Sequence, residues 1–332
     1  MPTEEIRFFI QNILNRGNML GIERAVLDVY LAEGIKSDKN PDVLLCIDSY
    51  TVFGGFLEVL FAKMVKDAEG RDVRGAKWVI DEYNSFVSNI KNYEREILER
   101  TKKYFEKINN IADALRKLGR KIKVHLSEIS SGIELYLSGR YEIVKDHITR
   151  KINELSAEGL NEVIFISPFE YSLYNYGYLS QASTSALKID FFAEYLIDKN
   201  PVLKVPNKIS VAIFDPYLAP VSMFRSDIRS GVVKTIECIE RLLANIANME
   251  IVDKKYDGAP IGYEQLWMIN PLTSISLSKN ILDYYNEKVD VIITARTSTA
   301  MILEMARTLY GLGPRIYEYS DFVSRIILGM EI

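Results

Sequence analysis

Three stretches of this chain recur about 130 residues apart, and a duplicated chain is tightly constrained because both copies must build the same unit. NEVIFISPFEYSL at 161–173 matches VDVIITARTSTAMI at 289–302, at an offset of 128. Ile129-Ser130-Ser131-Gly132 followed by Leu135-Tyr136-Leu137 matches Ala259-Pro260-Ile261-Gly262 followed by Leu266-Trp267-Met268, at an offset of 130 to 131. IDFFAEYLI at 189–197 matches YSDFVSRII at 319–327, with Phe192 against Phe322, at an offset of 130. The strand-like VLLCIDSY at 43–50 then pairs with SVAIFDPY at 210–217 at a larger offset of about 168, so the first copy carries roughly 40 extra residues between 55 and 115.

The runs at 163–166 and 289–293 are almost wholly apolar rather than alternating, as in strands covered on both faces by helices. Their alternation with helical segments points to parallel α/β units. The predicted fold is α/β, a tandem duplication of two small parallel units with a long helical insertion in the first. The expected division is an N-terminal helical segment over 1–40, a first unit over 41–200 with its insertion at about 56–115, and a second unit over 201–332. A length of 332 residues, 48% of them apolar, suits two such cores.

Within the insertion, Ile90, Ile97, Tyr104, Ile111 and Leu118 recur every seven residues, with Thr101, Ile108 and Leu115 at plus four. This heptad seam predicts a helix of about 30 residues. Two readings stay open: a core helix with a solvated back, or a helix that uses Ile90, Ile97, Tyr104 and Ile111 to engage a partner. The most apolar run, YTVFGGFLEVLFAKMV at 50–65, is interrupted by Glu58 and Lys63 and is too short to span a bilayer, which predicts a buried loop and helix.

The turns FDPYLAP at 214–220, YDGAPIGYEQLWM at 256–268 and VIITARTSTAMIL at 291–303 resemble those of the cysteine-rich CCG-domain family of heterodisulfide reductase. The resemblance runs over about residues 40–330 and covers both copies. In that family a His-Asp-Pro-Cys turn, a Cys-Cys-Gly turn leading into Leu-Trp-Met, and a Cys-Pro-x-Cys turn hold iron-sulfur clusters through thiolates. Here Asp215-Pro216 is kept, but Phe214 and Tyr217 stand at the His and Cys positions, Ala259-Pro260 at the Cys-Cys pair, and Ala295-Arg296-Thr297-Ser298 at Cys-Pro-x-Cys. In the first copy the corresponding positions are Ile129-Ser130 and Ser167-Pro168-Phe169-Glu170, while Asp48 fits a family cysteine position better than Cys46 does. The frame is retained and the thiolates are replaced, so no cluster, metal or other cofactor is expected; side chains such as Tyr217 and Tyr263 would fill the cradle.

Other signals are weaker. Lys and Arg total 41 against 45 acidic residues, a net charge of −4 with no basic stripe, which gives no reason to expect nucleic acid as a partner. The acidic, amphipathic start lacks the features of a signal peptide, so the cytoplasm is the expected location. Two cysteines, Cys46 and Cys238, and two histidines, His125 and His147, are few soft ligands. Cys238 lies on a helix-spaced apolar pattern and reads as core; His125 ends an apolar strand in a structural role; His147 reads as solvated or locally paired. Ser130, Ser167 and Ser298 have no nucleophile-elbow motif around them and read as turn serines.

The resemblance implies a cluster-free, non-catalytic heterodisulfide reductase-like protein, a structural or regulatory subunit of an electron-transfer complex whose other subunits carry iron-sulfur clusters or flavin. The alternative is a small-molecule-binding protein or enzyme that reuses the cleft between the copies, with Asp215 and Arg296 in that cleft and Arg296 the anchor for an anionic ligand.

Overall fold

The computed structural model describes residues 4–23, 26, 34–68, 76–126, 135–136, 141–178, 187–217, 225–255, 270–311 and 313–332. Strands β1 (Val43–Ile47), β2 (Ile122–Leu126), β3 (Glu162–Phe165) and β4 (Lys188–Phe191) form one parallel sheet in the order β2-β1-β3-β4. Strands β5 (Lys204–Phe214), β6 (Ala247–Lys255), β7 (Val291–Thr294) and β8 (Arg315–Glu318) form a second in the same order, β6-β5-β7-β8. Two parallel sheets of identical order are the duplication expressed in three dimensions. Every residue of β1 and β7 is buried, the burial that helices on both faces impose.

Strand register refines the match between copies. With Asp48 set against Asp215, Cys46 pairs with Phe165 and Ile213 with Ile293, which reproduces the offset of 128 for the third-strand turns. Ser167 thus answers Ala295, and Glu170 answers Ser298. The fourth strands differ from expectation: Phe165 pairs with Phe191 and Ile293 with Tyr317, so Phe192 answers Glu318 and not Phe322.

Between β1 and β2 run α2 (Ser49–Ala68), α3 (Ala76–Ser88), a 3-10 turn (Ile90–Tyr93) and α4 (Glu94–Lys117); between β5 and β6 the described residues hold the single helix α8 (Ser226–Ala244). The remaining helices are α1 (Glu4–Arg16), α5 (Tyr141–Ala157), α6 (Pro168–Ser172), α7 (Phe192–Lys199), α9 (Pro271–Tyr285), α10 (Thr297–Tyr310) and α11 (Tyr319–Leu328). Helix α4 packs on α11 of the second unit, as α8 packs on α7 of the first, and both lead directly into the second strand of their sheet. The heptad helix is therefore the first unit's own counterpart of α8, and the added layer is α2 with α3, against which α1 packs through Phe8 and Phe9 on Tyr83.

This corrects the reading of the seam as a partner surface. Ile97 and Ile111 are wholly buried and Tyr104 nearly so, all inside the chain between α2 and α11, and Ile90 lies in the 3-10 turn before α4. The helix covers 24 residues because the turn at 90–93 stops it short of the 30 that the pattern suggested. The apolar run at 50–65 is one continuous buried helix, and among the described residues no helix is long and apolar enough to cross a membrane.

Two glycines fix how closely α2 and α4 approach. A Cβ on Gly54 would lie 2.2 Å from the Tyr104 ring, and one on Gly55 2.2 Å from Thr101 Oγ1 and 3.0 Å from its Cα. Glycine inside a helix costs about 1 kcal/mol, which this contact offsets. At Gly55 the obstacle includes backbone, so Gly55→Ala is expected to lower stability by about 1–3 kcal/mol. The measurement is the urea midpoint, with Ala62→Gly, on the same helix, as a propensity control.

Candidate functional site

In parallel sheets the carboxyl ends of the strands share one edge, where α/β proteins place their ligands. Here the two edges face each other. Asp48 follows β1 and caps α2, its carboxylate accepting from Thr51 N at 3.0 Å and Thr51 Oγ1 at 2.7 Å. It also accepts from Thr297 Oγ1 of the second unit at 3.1 Å. Asp215 follows β5, is wholly buried, and accepts from Ala295 N at 3.1 Å and from Arg296 Nε at 2.7 Å. A second Arg296 nitrogen lies 2.6 Å from the same carboxylate, which makes a buried ion pair.

Lys107 of α4 ties these elements together, its ammonium 2.8 Å from Thr297 Oγ1 and 3.0 Å from Glu318 at the end of β8. Ser320 Oγ donates to Glu318 at 2.5 Å. Burial pushes the Glu318 carboxyl above its usual range, against the opposing pull of Lys107. Tyr319 donates to the carbonyl of Ile166 at 2.6 Å, a further bond between the units.

At the centre is a cavity of about 20 Å³, room for one water-sized group. Its walls include Ser167 with Ala295, Phe169 with Thr297, and Glu170 with Ser298, residues that answer one another in the two copies. The cavity is therefore enclosed by corresponding turns of the two copies. Among the described residues that line it, Asp48, Glu170 and Glu318 are acidic and Arg296 is basic, with the Asp215 carboxylate on Arg296 and the Lys107 ammonium on Glu318, so the described lining is formally negative.

Asp48, Ser167, Glu170, Ala295, Arg296 and Ser298 line the one cavity, with Asp215 behind Arg296. Ser167 is an N-cap, accepting from Glu170 N at 3.3 Å, while the Ser298 hydroxyl makes no hydrogen bond among the described residues. Tyr217 is buried, with its hydroxyl pushed up to about 12 by burial, but it does not line the cavity. Ile129, Ser130, Ala259, Pro260 and Tyr263 lie outside the described residues.

Arg296 is not a free anchor for an anion, since Asp215 holds its charge and its guanidinium lies 5.0 Å from the Phe169 ring. Sequence reasoning missed Lys107, Glu318 and Thr51. The available signal for Lys107 was a lysine directly preceding the seam residue Ile108; for Glu318 it was an acid closing a strand.

The soft ligands stand apart from this site. Cys46 is buried, and burial pushes its thiol up to about 12, so it is no thiolate at neutral pH. Cys238 is buried on α8, its thiol raised to about 11 chiefly by burial. His147 is buried in α5 rather than solvated. His125 Nδ1 lies 3.3 Å from Glu158, and its Nε2 lies 3.3 Å from Lys151, a lysine that is itself 2% exposed. Among the described residues no group of three His, Cys, Asp or Glu side chains is arranged to hold a metal ion.

No family model matches the sequence, and no curated protein matches it. Among solved structures, the chain is similar to glutamate racemase from Aquifex pyrophilus at 14% identity, with 67% of this chain and 79% of that one covered and a TM-score of 0.33. It is similar to PH1733, an aspartate racemase homologue from Pyrococcus horikoshii, at 9% identity over 87% and 98% of the two chains, with a TM-score of 0.34. A periplasmic solute binding protein from Actinobacillus succinogenes with bound D-allose shares 13% identity over 69% and 88%, with a TM-score of 0.26. None of these likenesses extends to function.

Two outcomes are expected. Asp215→Ala strips a buried guanidinium of its counter-charge and should cost about 3–5 kcal/mol in urea unfolding, whereas Asp215→Leu combined with Arg296→Met should recover most of it. The His125 imidazole is held down to about 4 by burial and then by Lys151, against Glu158. Between about pH 6.5 and pH 4 the unfolded chain binds a proton that the folded chain refuses, so stability falls as pH falls through that window. His125→Gln should flatten this part of the stability curve, removing a loss on the order of 3 kcal/mol.

Proposed function

We propose that this chain is a cytoplasmic small-molecule-binding protein or enzyme whose ligand places a protonated amine in the cavity between the turns of the two copies. The observation that carries the reading is the set of buried charged side chains, Asp48, Glu170, Asp215, Arg296, Glu318 and Lys107, gathered at the carboxyl ends of both sheets. Burying ions is costly, and well-packed apolar residues in their place are often neutral or stabilising. A cluster of this kind at this edge supports a functional site more readily than a structural one.

The class of ligand comes from size and charge. A volume of about 20 Å³ accommodates an ammonium head rather than a whole metabolite. Asp48 accepts from two hydroxyls and an amide, and its carboxylate, with that of Glu170, offers acceptors to a cationic head. The Ser298 hydroxyl, which also lines the cavity, supplies a further polar contact.

A second reading, a cluster-free subunit of an electron-transfer complex bound to iron-sulfur or flavin subunits, is favoured by the closure of the cleft. Thr51 to Thr297, Asp48 to Thr297 and Tyr319 to Ile166 bind the units directly across it.

Thermal unfolding separates the two. Ethanolamine should raise the Tm in a saturating manner, acetate at equal ionic strength should not, and Glu170→Gln should remove the ethanolamine effect. A ligand at a hundred times its Kd adds about 2.7 kcal/mol. If no primary amine shifts the Tm while the native protein co-purifies in fixed ratio with cluster-bearing or flavin-bearing subunits, the ligand reading is wrong and the second stands.

A further inference from the structure

A groove of about 370 Å³ lies away from the cavity, between the added helix α2, helix α4 and the second unit's α9 and α10. Its size falls in the range of small-molecule sites. One wall is apolar: Val65 of α2, Ile275 of α9, and Met305 and Leu309 of α10, with Leu309 49% exposed at the rim. The other carries Lys66, Arg100 and Lys103.

Arg100 and Lys103 are held by a buried acid at the floor of the groove. Glu58, 2% exposed, accepts from Tyr104 Oη at 2.6 Å, and its carboxylate lies 2.5 Å from the Lys103 ammonium and 3.6 Å from the Arg100 guanidinium. Arg100 also meets Glu96 at 3.0 Å. The remaining acid of the groove, Glu304, is taken by Arg307 at 2.7 Å. Lys66 forms no ion pair among the described residues, which leaves the polar wall with a positive charge to spare. A buried carboxylate that draws two cations to one side of an otherwise apolar groove creates an amphipathic receptor.

We infer that this groove binds an amphipathic anion, a carboxylate with an aliphatic or aromatic tail: the head group lies against Lys66, Arg100 and Lys103, and the tail against Met305, Ile275 and Leu309. The site shares no lining residue with the cavity between the copies, and α2 of the added layer forms one of its walls.

Titration calorimetry of the full chain with decanoate, below its micelle concentration, tests this. Saturable binding of one decanoate per chain is expected, with no binding of decyltrimethylammonium, about tenfold weaker binding in Lys66→Glu, and none in Met305→Trp, which fills the groove. Leu309→Glu, at an exposed position that leaves folding intact, provides a second block and should also weaken decanoate binding. Equal binding of the cationic surfactant, unsaturable uptake, or unchanged affinity in both Lys66→Glu and Leu309→Glu would overturn the assignment.

Discussion

Asp48 and Asp215 close the first strand of each unit, and the way each buried carboxylate is satisfied determines how the two units meet. An acid at this point must find donors, because the sheet edge carries it into the interior and an unsatisfied buried charge costs several kcal/mol. Asp48 takes two donors from its own helix α2 and a third from Thr297 across the interface. Asp215 is satisfied within its own unit by Arg296 and the amide of Ala295. One carboxylate thus joins the units while its counterpart fixes the turn that presents Thr297 to it. Lys107, reaching Thr297 and Glu318 together, completes a network in which removing any one group leaves a partner stranded.

The turns were legible because each combines a short apolar strand with an abrupt polar change, a signal that survives divergence between the copies. Register in both sheets returns the same offset of 128 for Ser167 against Ala295. The fourth strands were misaligned since IDFFAEYLI and YSDFVSRII can be slid by a few residues without losing an aromatic match, and only the pairing of Phe191 with Phe165 settles the slide. The heptad seam of α4 was legible as a seam, but an apolar stripe looks the same whether it faces its own chain or another. Lys107 and Glu318 could not be placed beside Asp48 and Thr297, because the contact from Lys107 to Thr297 spans 190 residues of sequence. Local pattern finds the elements and the turns; which turns share a cavity depends on topology.

The copies have diverged by addition as well as by substitution. Helix α8 alone covers the second sheet's crossover and packs on both α6 and α7, whereas in the first unit α2 and α4 divide the equivalent contacts with α10 and α11. Splitting one helix's work between two requires their axes to lie close, which Gly54 and Gly55 permit. A concavity floored by Glu58 lies where α2 and α4 meet α9 and α10. The groove on that side is thus a geometric consequence of the added layer, and the second unit, lacking such a layer among its described residues, has no equivalent surface there.

The turn positions read from the sequence and the topology of the sheets direct attention to the same edge. Motif positions lead to Asp48, Ser167, Glu170, Ala295 and Ser298; strand order and register bring those residues around one cavity. What the two routes do not share is chemistry. Iron-sulfur clusters are held by thiolates, soft donors that tolerate an apolar surround. The cavity presents carboxylates and hydroxyls instead, and the thiol of Cys46, two residues before Asp48, is held protonated by burial. Hard acceptors enclosed in a volume of about 20 Å³ favour a compact cationic or hydrogen-bond-donating group.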